Sequence, residues 1–253
     1  MKKTIYYSNL SNDDFAGNHI KQKPIPADYV YITKKPLRKT LDFVLHHIVV
    51  TPIIFLFQKT VFAEKIVNRK VLRPYLKTGF YLYGNHTRSA GDAFTPNLIT
   101  FPRKAYIITN PDAVSIPVIK HLVQSLGGFP LPNDRAGMQN FYKSLLDRSK
   151  NNCITIYPEA HIWPYYTKIR PFKSTSFKYA VVANKPVFCF TVTYKKRKII
   201  PFVKTVVYVD GPFFPDQKLS CKQNQNALCG AVYNAMLERS KNSDYNYYNY
   251  VKS

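Results

Sequence analysis

A chain of 253 residues with 45% apolar and 20% charged side chains has an ordinary globular composition, which excludes a wholly disordered or fibrous chain. Its 37 basic against 14 acidic residues leave a formal net charge of +23, which calls for a polyanionic partner: nucleic acid, an anionic membrane surface or a phosphorylated substrate. The cysteines Cys153, Cys189, Cys221 and Cys229 contain no CxxC pair. Neither a disulfide framework nor a zinc site is therefore expected, and a reducing, cytoplasmic setting fits.

Residues 1–37 are polar and broken by Pro24, Pro26 and Pro36, which reads as an irregular arm. The first residues are basic but have no apolar core behind them, unlike a secretory signal. Residues 38–78 form a different kind of segment. Leu41–Phe57 is strongly apolar but shorter than the roughly 20 residues of a spanning helix, and it contains Pro52 and the pair His46-His47. Basic residues flank it, among them Arg38, Lys39, Lys59 and Lys65. An apolar helix with cationic ends suits the headgroup region of an anionic leaflet, and a buried core helix is the rival reading. The histidine pair reads as a polar face of that helix.

From residue 79 to 241 short β-rich runs alternate with helical ones. Strands are expected at Gly79–Tyr83, Lys104–Thr109, Cys153–Tyr157, Pro186–Tyr194 and Ile199–Val209. Helices are expected at Ser115–Leu126, Ala136–Lys150, Ser174–Asn184 and Lys218–Lys241. The basic run Lys195-Lys196-Arg197-Lys198 reads as a solvated hairpin turn. Residues 242–253 form a tyrosine-rich tail whose rings either meet a membrane interface or pack on the domain. This order predicts an α/β domain with a mixed, mostly parallel sheet flanked by helices, preceded by an N-terminal apolar helical membrane-interface element.

Four segments carry candidate chemistry. In Asn85-His86-Thr87-Arg88-Ser89-Ala90-Gly91-Asp92 a histidine and an aspartate follow an apolar strand, where a general base belongs in an α/β protein. A carboxylate there holds the imidazole in one tautomer. Arg135 closes the second segment, which begins at Gly127-Gly128, and a guanidinium at the same sheet edge suits a phosphate. Glu159, in Tyr157-Pro158-Glu159-Ala160-His161, also follows a strand. The fourth segment is Lys185-Pro186-Val187-Phe188-Cys189-Phe190.

Taken in order, over roughly residues 80–195, these segments resemble the blocks of the glycerolipid acyltransferases, which include the 1-acylglycerol-3-phosphate acyltransferases. The resemblance implies that His86 is the general base, oriented by Asp92, and that it deprotonates an acceptor hydroxyl. That hydroxyl attacks the thioester of an acyl-CoA or acyl carrier protein, with no further cofactor and no acyl-enzyme. It further implies that Arg135 binds the acceptor phosphate and Glu159 positions the acceptor. The sequence departs from the family pattern twice. Five residues separate His86 from Asp92 instead of four, so Gly91 is expected to let the loop bulge. Ala160-His161 stands where the family commonly has Gly-Thr-Arg, so Arg88, Lys168, Arg170 or Lys173 is expected to supply the missing phosphate contact.

Two rivals use the same features. His86, Asp92, Glu159 and His161 are metal-ligand types that fit a metal-dependent hydrolase, although no HExxH signature is present. The net charge fits a nucleic-acid-binding protein, although no such signature appears. Ser89 lacks a G-x-S-x-G elbow. The expectation is therefore an O-acyltransferase without a metal, acting on a lysophospholipid and not on nucleic acid. It is expected to be peripheral or monotopic on the cytoplasmic face, partnered with an anionic phospholipid surface.

Overall fold

A computed structural model describes residues 3–15, 23–89, 91–115, 117–197 and 203–253. In chain order, β1 (Thr4–Tyr7) precedes one continuous 26-residue helix, Pro36–Val61. This helix consists of α1 (Pro36–Phe43), a π-helical stretch Val44–Val50 and α2 (Thr51–Val61). There follow β2 (Lys65–Val67), a 3-10 segment Arg69–Tyr75, β3 (Phe80–Gly84), α3 (Thr95–Thr100) and β4 (Ala105–Thr109). Then come α4 (Pro117–Ser125), β5 (Gly128–Pro130), α5 (Arg135–Ser149), β6 (Cys153–Ile156), α6 (Lys178–Ala183) and β7 (Val187–Lys195). The chain ends with β8 (Lys204–Phe213), α7 (Cys221–Ser240) and β9 (Asn249–Lys252).

Seven strands form one sheet in the order β2-β8-β7-β3-β6-β4-β5. Only the β7–β8 pair is antiparallel, so the sheet is mixed and mostly parallel. Phe80-Tyr81-Leu82-Tyr83 of β3 is buried on both faces, as expected of a central parallel strand covered by helices. Tyr81 and Tyr83 pack on one side with Phe141 and Leu145 of α5 and Leu228, Val232 and Met236 of α7. Phe80 and Leu82 pack on the other with Leu72, Ile99 and Phe188. Gly79 precedes β3 at φ +77, where an added Cβ would meet the Ser149 carbonyl oxygen at 2.0 Å, so only glycine starts the strand there.

Two regions differ from the sequence reading, and the structure chooses between the two readings of the tail. The first 37 residues are not wholly irregular, because β1 pairs in parallel with β9. The tyrosine-rich tail thereby packs on the domain: Tyr250 stacks on Trp163 with centroids 5.1 Å apart, and Tyr245 and Tyr247 join the core. The segment taken to end at residue 78 contributes β2 to the sheet, a strand of three residues that is too short to show as periodicity. Residue 198 of the basic turn and residues 199–202 of the Ile199–Val209 strand lie outside the described residues.

The long helix is inverted relative to a helix of a soluble core. Its buried residues, His46, Thr51 and Gln58, are all polar. Its outward face carries Leu41, Phe43, Ile48, Ile53, Phe55 and Leu56, all exposed. Only 11% of its most apolar window is buried, and the helix is long and apolar enough to cross a membrane by length and composition. The core-helix reading does not fit this placement. An apolar face turned outward over this length marks an interaction surface and is compatible with peripheral membrane association.

Candidate active site

After β3 the chain runs outward across the sheet to β4 and β5. It then returns, placing β6 on one flank of β3 and β7 on the other. The loops leaving the carboxyl ends of β3 and β6 therefore adjoin where the chain's direction across the sheet reverses, the place where open α/β sheets bind ligands. Residues 85–94 form the first loop and residues 157–173 the second.

Asn85 fixes the first loop by extending the sheet one step with its side chain. Its Nδ2 donates to the Val192 carbonyl at 3.1 Å, and its Oδ1 accepts from the Val192 N–H at 2.8 Å. Thr87 is held by Tyr194, with 2.7 Å between their hydroxyl oxygens. The second loop then clamps the first, as the Trp163 and Tyr165 N–H groups donate to the carbonyls of His86 and Thr87 at 3.0 and 2.8 Å. With two of its carbonyls and the Asn85 and Thr87 side chains held, the loop leaves the His86 ring little freedom.

The His86 Nδ1 lies 2.8 Å from Asp92 Oδ2. The same carboxylate oxygen accepts the Arg88 N–H at 2.9 Å, which aims the aspartate, and Asp92 is buried. The His86 ring stacks on Tyr157 at 4.4 Å between centroids, and the Tyr157 hydroxyl donates to the Asp92 carbonyl at 2.6 Å. Burial, with Asp92 nearby, pushes that phenol well above its ordinary pKa, so it stays a donor. The His86 side chain is 17% exposed, and its Nε2 has no hydrogen-bond partner among the described residues. An imidazole held at Nδ1 by a buried carboxylate and open at Nε2 is equipped to accept a proton.

The extra loop residue is accommodated by space rather than by a left-handed glycine. Gly91 is not at positive φ; it opens a 3-10 turn that carries Asp92 back to His86. An added Cβ there would lie 2.3 Å from Arg88 Nε, so the missing side chain makes room for the guanidinium.

Arg88 and Arg170 spend their charges inside the protein. Arg88 Nη1 lies 2.5 Å from Glu64 Oε2 and also donates to Thr95, while Nη2 donates to Gln58 of α2. Arg170 Nη2 donates to Glu159 Oε2 at 3.2 Å and to the His161 carbonyl, and both side chains of that ion pair are 0% exposed. Neither guanidinium is presented at the surface, in contrast to the expected phosphate contact. Glu159 likewise faces inward. Its Oε2 accepts the His86 N–H at 3.1 Å and its Oε1 the Arg170 N–H at 2.9 Å, so it holds the backbone of the histidine. Burial raises its carboxyl pKa, against the opposing pull of Arg170 and of those N–H groups.

Arg135 is exposed at the first position of α5, whose N-cap Asp134 accepts from the Gly137 N–H at 2.6 Å. It stands at the same sheet edge as His86 but three strands away, roughly 14 Å at about 4.8 Å per strand. Lys168 and Lys173 are exposed on the loop after β6. His161 lies 3.4 Å from Asp14, and among the described residues no three His, Cys, Asp or Glu side chains converge as metal ligands. The donor set of the hydrolase reading is therefore not assembled. Asn85, Tyr157, Trp163 and Tyr194 support the site without having been singled out in the sequence. Asn85 and Tyr157 carried a local signal, standing directly before His86 and before Pro158-Glu159.

The structure is thus an α/β domain with its histidine loop at the carboxyl end of β3. Among solved structures the chain is similar to the 1-acyl-sn-glycerophosphate (LPA) acyltransferase PlsC from Thermotoga maritima. The match has a TM-score of 0.55 and 18% identity, and covers 81% of this chain and 88% of that one. No protein-family model and no curated protein matches the chain. At this identity the likeness establishes the fold, and the resemblance seen in the sequence blocks holds at that level.

Proposed function

We propose that the chain is an O-acyltransferase. It moves a fatty acyl group from an acyl thioester, on coenzyme A or acyl carrier protein, to the hydroxyl of a lysophospholipid of the 1-acylglycerol-3-phosphate type. The observation that carries this reading is the 2.8 Å His86–Asp92 contact with Nε2 left open, in a fold shared with an acyltransferase.

Asp92 holds the Nδ1–H, so Nε2 takes the proton of the acceptor hydroxyl. The acceptor oxygen forms its bond to the thioester carbonyl carbon, and the C–S bond breaks to release the thiol, which recovers the proton from His86. Arg135, and Lys168 and Lys173 from the neighbouring loop, are the exposed cations available to the acceptor phosphate. Glu159 and Arg170 position His86 through its backbone. The inverted helix docks the domain on an anionic leaflet, and four free cysteines fit the cytoplasmic face.

The test is a donor-by-acceptor panel on membranes and on detergent-solubilised protein, with wild type beside His86→Ala. Transfer to a lysophospholipid that disappears in the variant, with an unchanged melting curve, is the expected result. Full activity in the folded variant removes His86 as the base.

A further inference from the structure

A cavity of about 1110 Å³ lies away from the His86 loop. Its walls include Arg73, which precedes β3, Arg103 and Lys104, which directly precede β4, and Asn152, which directly precedes β6. It therefore opens at the amino ends of the parallel strands, whereas His86 follows the carboxyl end of β3. A five-residue strand such as β3 separates the two edges by roughly 16 Å. None of His86, Asp92, Arg135 or Glu159 lines this cavity.

Its chemistry is one-sided. Nine lining side chains are lysine or arginine, against the single carboxylate of Asp42. Arg38 takes that carboxylate at 2.9 Å. No other lining cation has a carboxylate partner among the described residues. Like charges gathered on a concave wall repel one another and raise the local concentration of anions. Lys104 registers the strain: burial, with Arg148 and Arg38 adding repulsion, brings its ammonium down to about 8. Tyrosine faces hold other cations, with Arg148 4.5 Å from the Tyr106 centroid and Lys120 5.7 Å from that of Tyr29. The volume is that of a small-molecule site, at or just above the usual range of about 300–1,000 Å³.

We propose that this cavity is a second, non-catalytic site for a ligand carrying two or more phosphate groups. Two phosphates satisfy several guanidinium and ammonium donors at once and relieve the crowding that a single small anion leaves in place. Lys35, Arg38 and Lys39, at the start of the long helix, form part of the lining. A phosphorylated lipid headgroup and a soluble polyphosphate both have that chemistry, and the experiment separates them.

Full-length protein in detergent is titrated with inorganic pyrophosphate and with orthophosphate by calorimetry. The expected result is saturable, salt-sensitive binding of pyrophosphate, tighter than that of orthophosphate and untouched by His86→Ala. Lys104→Met, and separately the rim pair Arg73→Ala with Arg103→Ala, each weaken it roughly tenfold. The rim residues are exposed, so that pair tests the site without changing a buried group. Flotation then compares phosphatidylcholine vesicles containing a phosphomonoester-bearing phosphoinositide with vesicles matched in charge by phosphatidylserine. A phosphoinositide preference lost in the rim variant assigns a headgroup ligand, and its absence alongside intact pyrophosphate binding assigns a soluble one. Both uphold the site. No saturable pyrophosphate binding, or binding unchanged in the folded variants, overturns it without touching the acyl-transfer assignment.

Discussion

The Arg88 guanidinium lies 2.5 Å from the Glu64 carboxylate and also reaches Gln58, which ties the loop bearing His86 to the end of the long apolar helix. Arg88 itself is fixed at its backbone, where its N–H donates to Asp92. The helix and Asp92 are thus linked through one residue, Arg88. A shift of the helix end moves the partner of the proposed base.

Removing one member of this pair leaves the other charge buried, because both side chains are nearly inaccessible at 4% and 2% exposure. Arg88→Met is expected to cost about 3–5 kcal/mol, the usual penalty for breaking a buried pair. Replacing both residues by apolar ones, Arg88→Met with Glu64→Leu, is expected to recover much of the stability, since no lone charge remains. It does not recover activity, because the helix is no longer tied to the loop. Denaturant midpoints set beside acyl-transfer rates check both expectations, and a double variant as active as wild type removes the coupling.

Asp92→Asn keeps the shape of the loop but lets His86 settle in the wrong tautomer. Its expected effect is a fall in kcat of roughly 10²–10⁴-fold with little change in acceptor KM. The measurement is steady-state acyl transfer at saturating donor. An equal rise in KM with kcat intact assigns Asp92 to binding.

Five of the seven strands of the large sheet, the helices α4 to α7 and the loop bearing His86 were legible because each rests on local pattern, whereas β2 and β5, of three residues each, were not. Strands buried on both faces read as apolar runs, and Asp134 at the N-cap marks the start of α5. What escaped depends on contacts distant in sequence. Nothing near Arg88 shows that Glu64 and Gln58 wait 24 and 30 residues upstream to bury it. Glu159 reads as a residue that positions the acceptor until Arg170 and the His86 N–H are seen to enclose it. The β1–β9 pair joins opposite ends of the chain, and a four-residue strand has too little periodicity to announce itself.

Lys104 makes a pH prediction with a definite sign. Its pKa falls from 10.5 to about 8 in the folded protein through burial and the neighbouring Arg148 and Arg38, with Asp42 opposing. Between those values the unfolded chain binds more protons than the folded one, so this group makes stability rise as pH increases from about 8 to 10.5. Below about 8 both states are protonated and the cost of the buried charge is fully present. Lys104→Met removes that cost. Melting curves across this range are expected to favour the variant most at the acid end, with the two proteins converging toward alkaline pH. A constant difference excludes Lys104 as the titrating group.

The inverted helix predicts a separation between folding and docking. Ile53 and Leu56 are 61% and 63% exposed on the outward face, so Ile53→Glu with Leu56→Glu disturbs no internal contact and is expected to leave the melting curve unchanged. Each apolar side chain contributes about 1.5–3 kcal/mol when moved from water into an apolar phase, so losing two lowers vesicle partitioning by roughly 100-fold or more. Gln58→Leu does the opposite. It makes the helix more apolar overall but strips Arg88 of a buried partner, so it is expected to destabilise the domain while leaving partitioning intact. Vesicle co-sedimentation read beside thermal unfolding distinguishes the two faces. Equal loss of stability in both variants shows that the apolar side packs on protein instead of lipid.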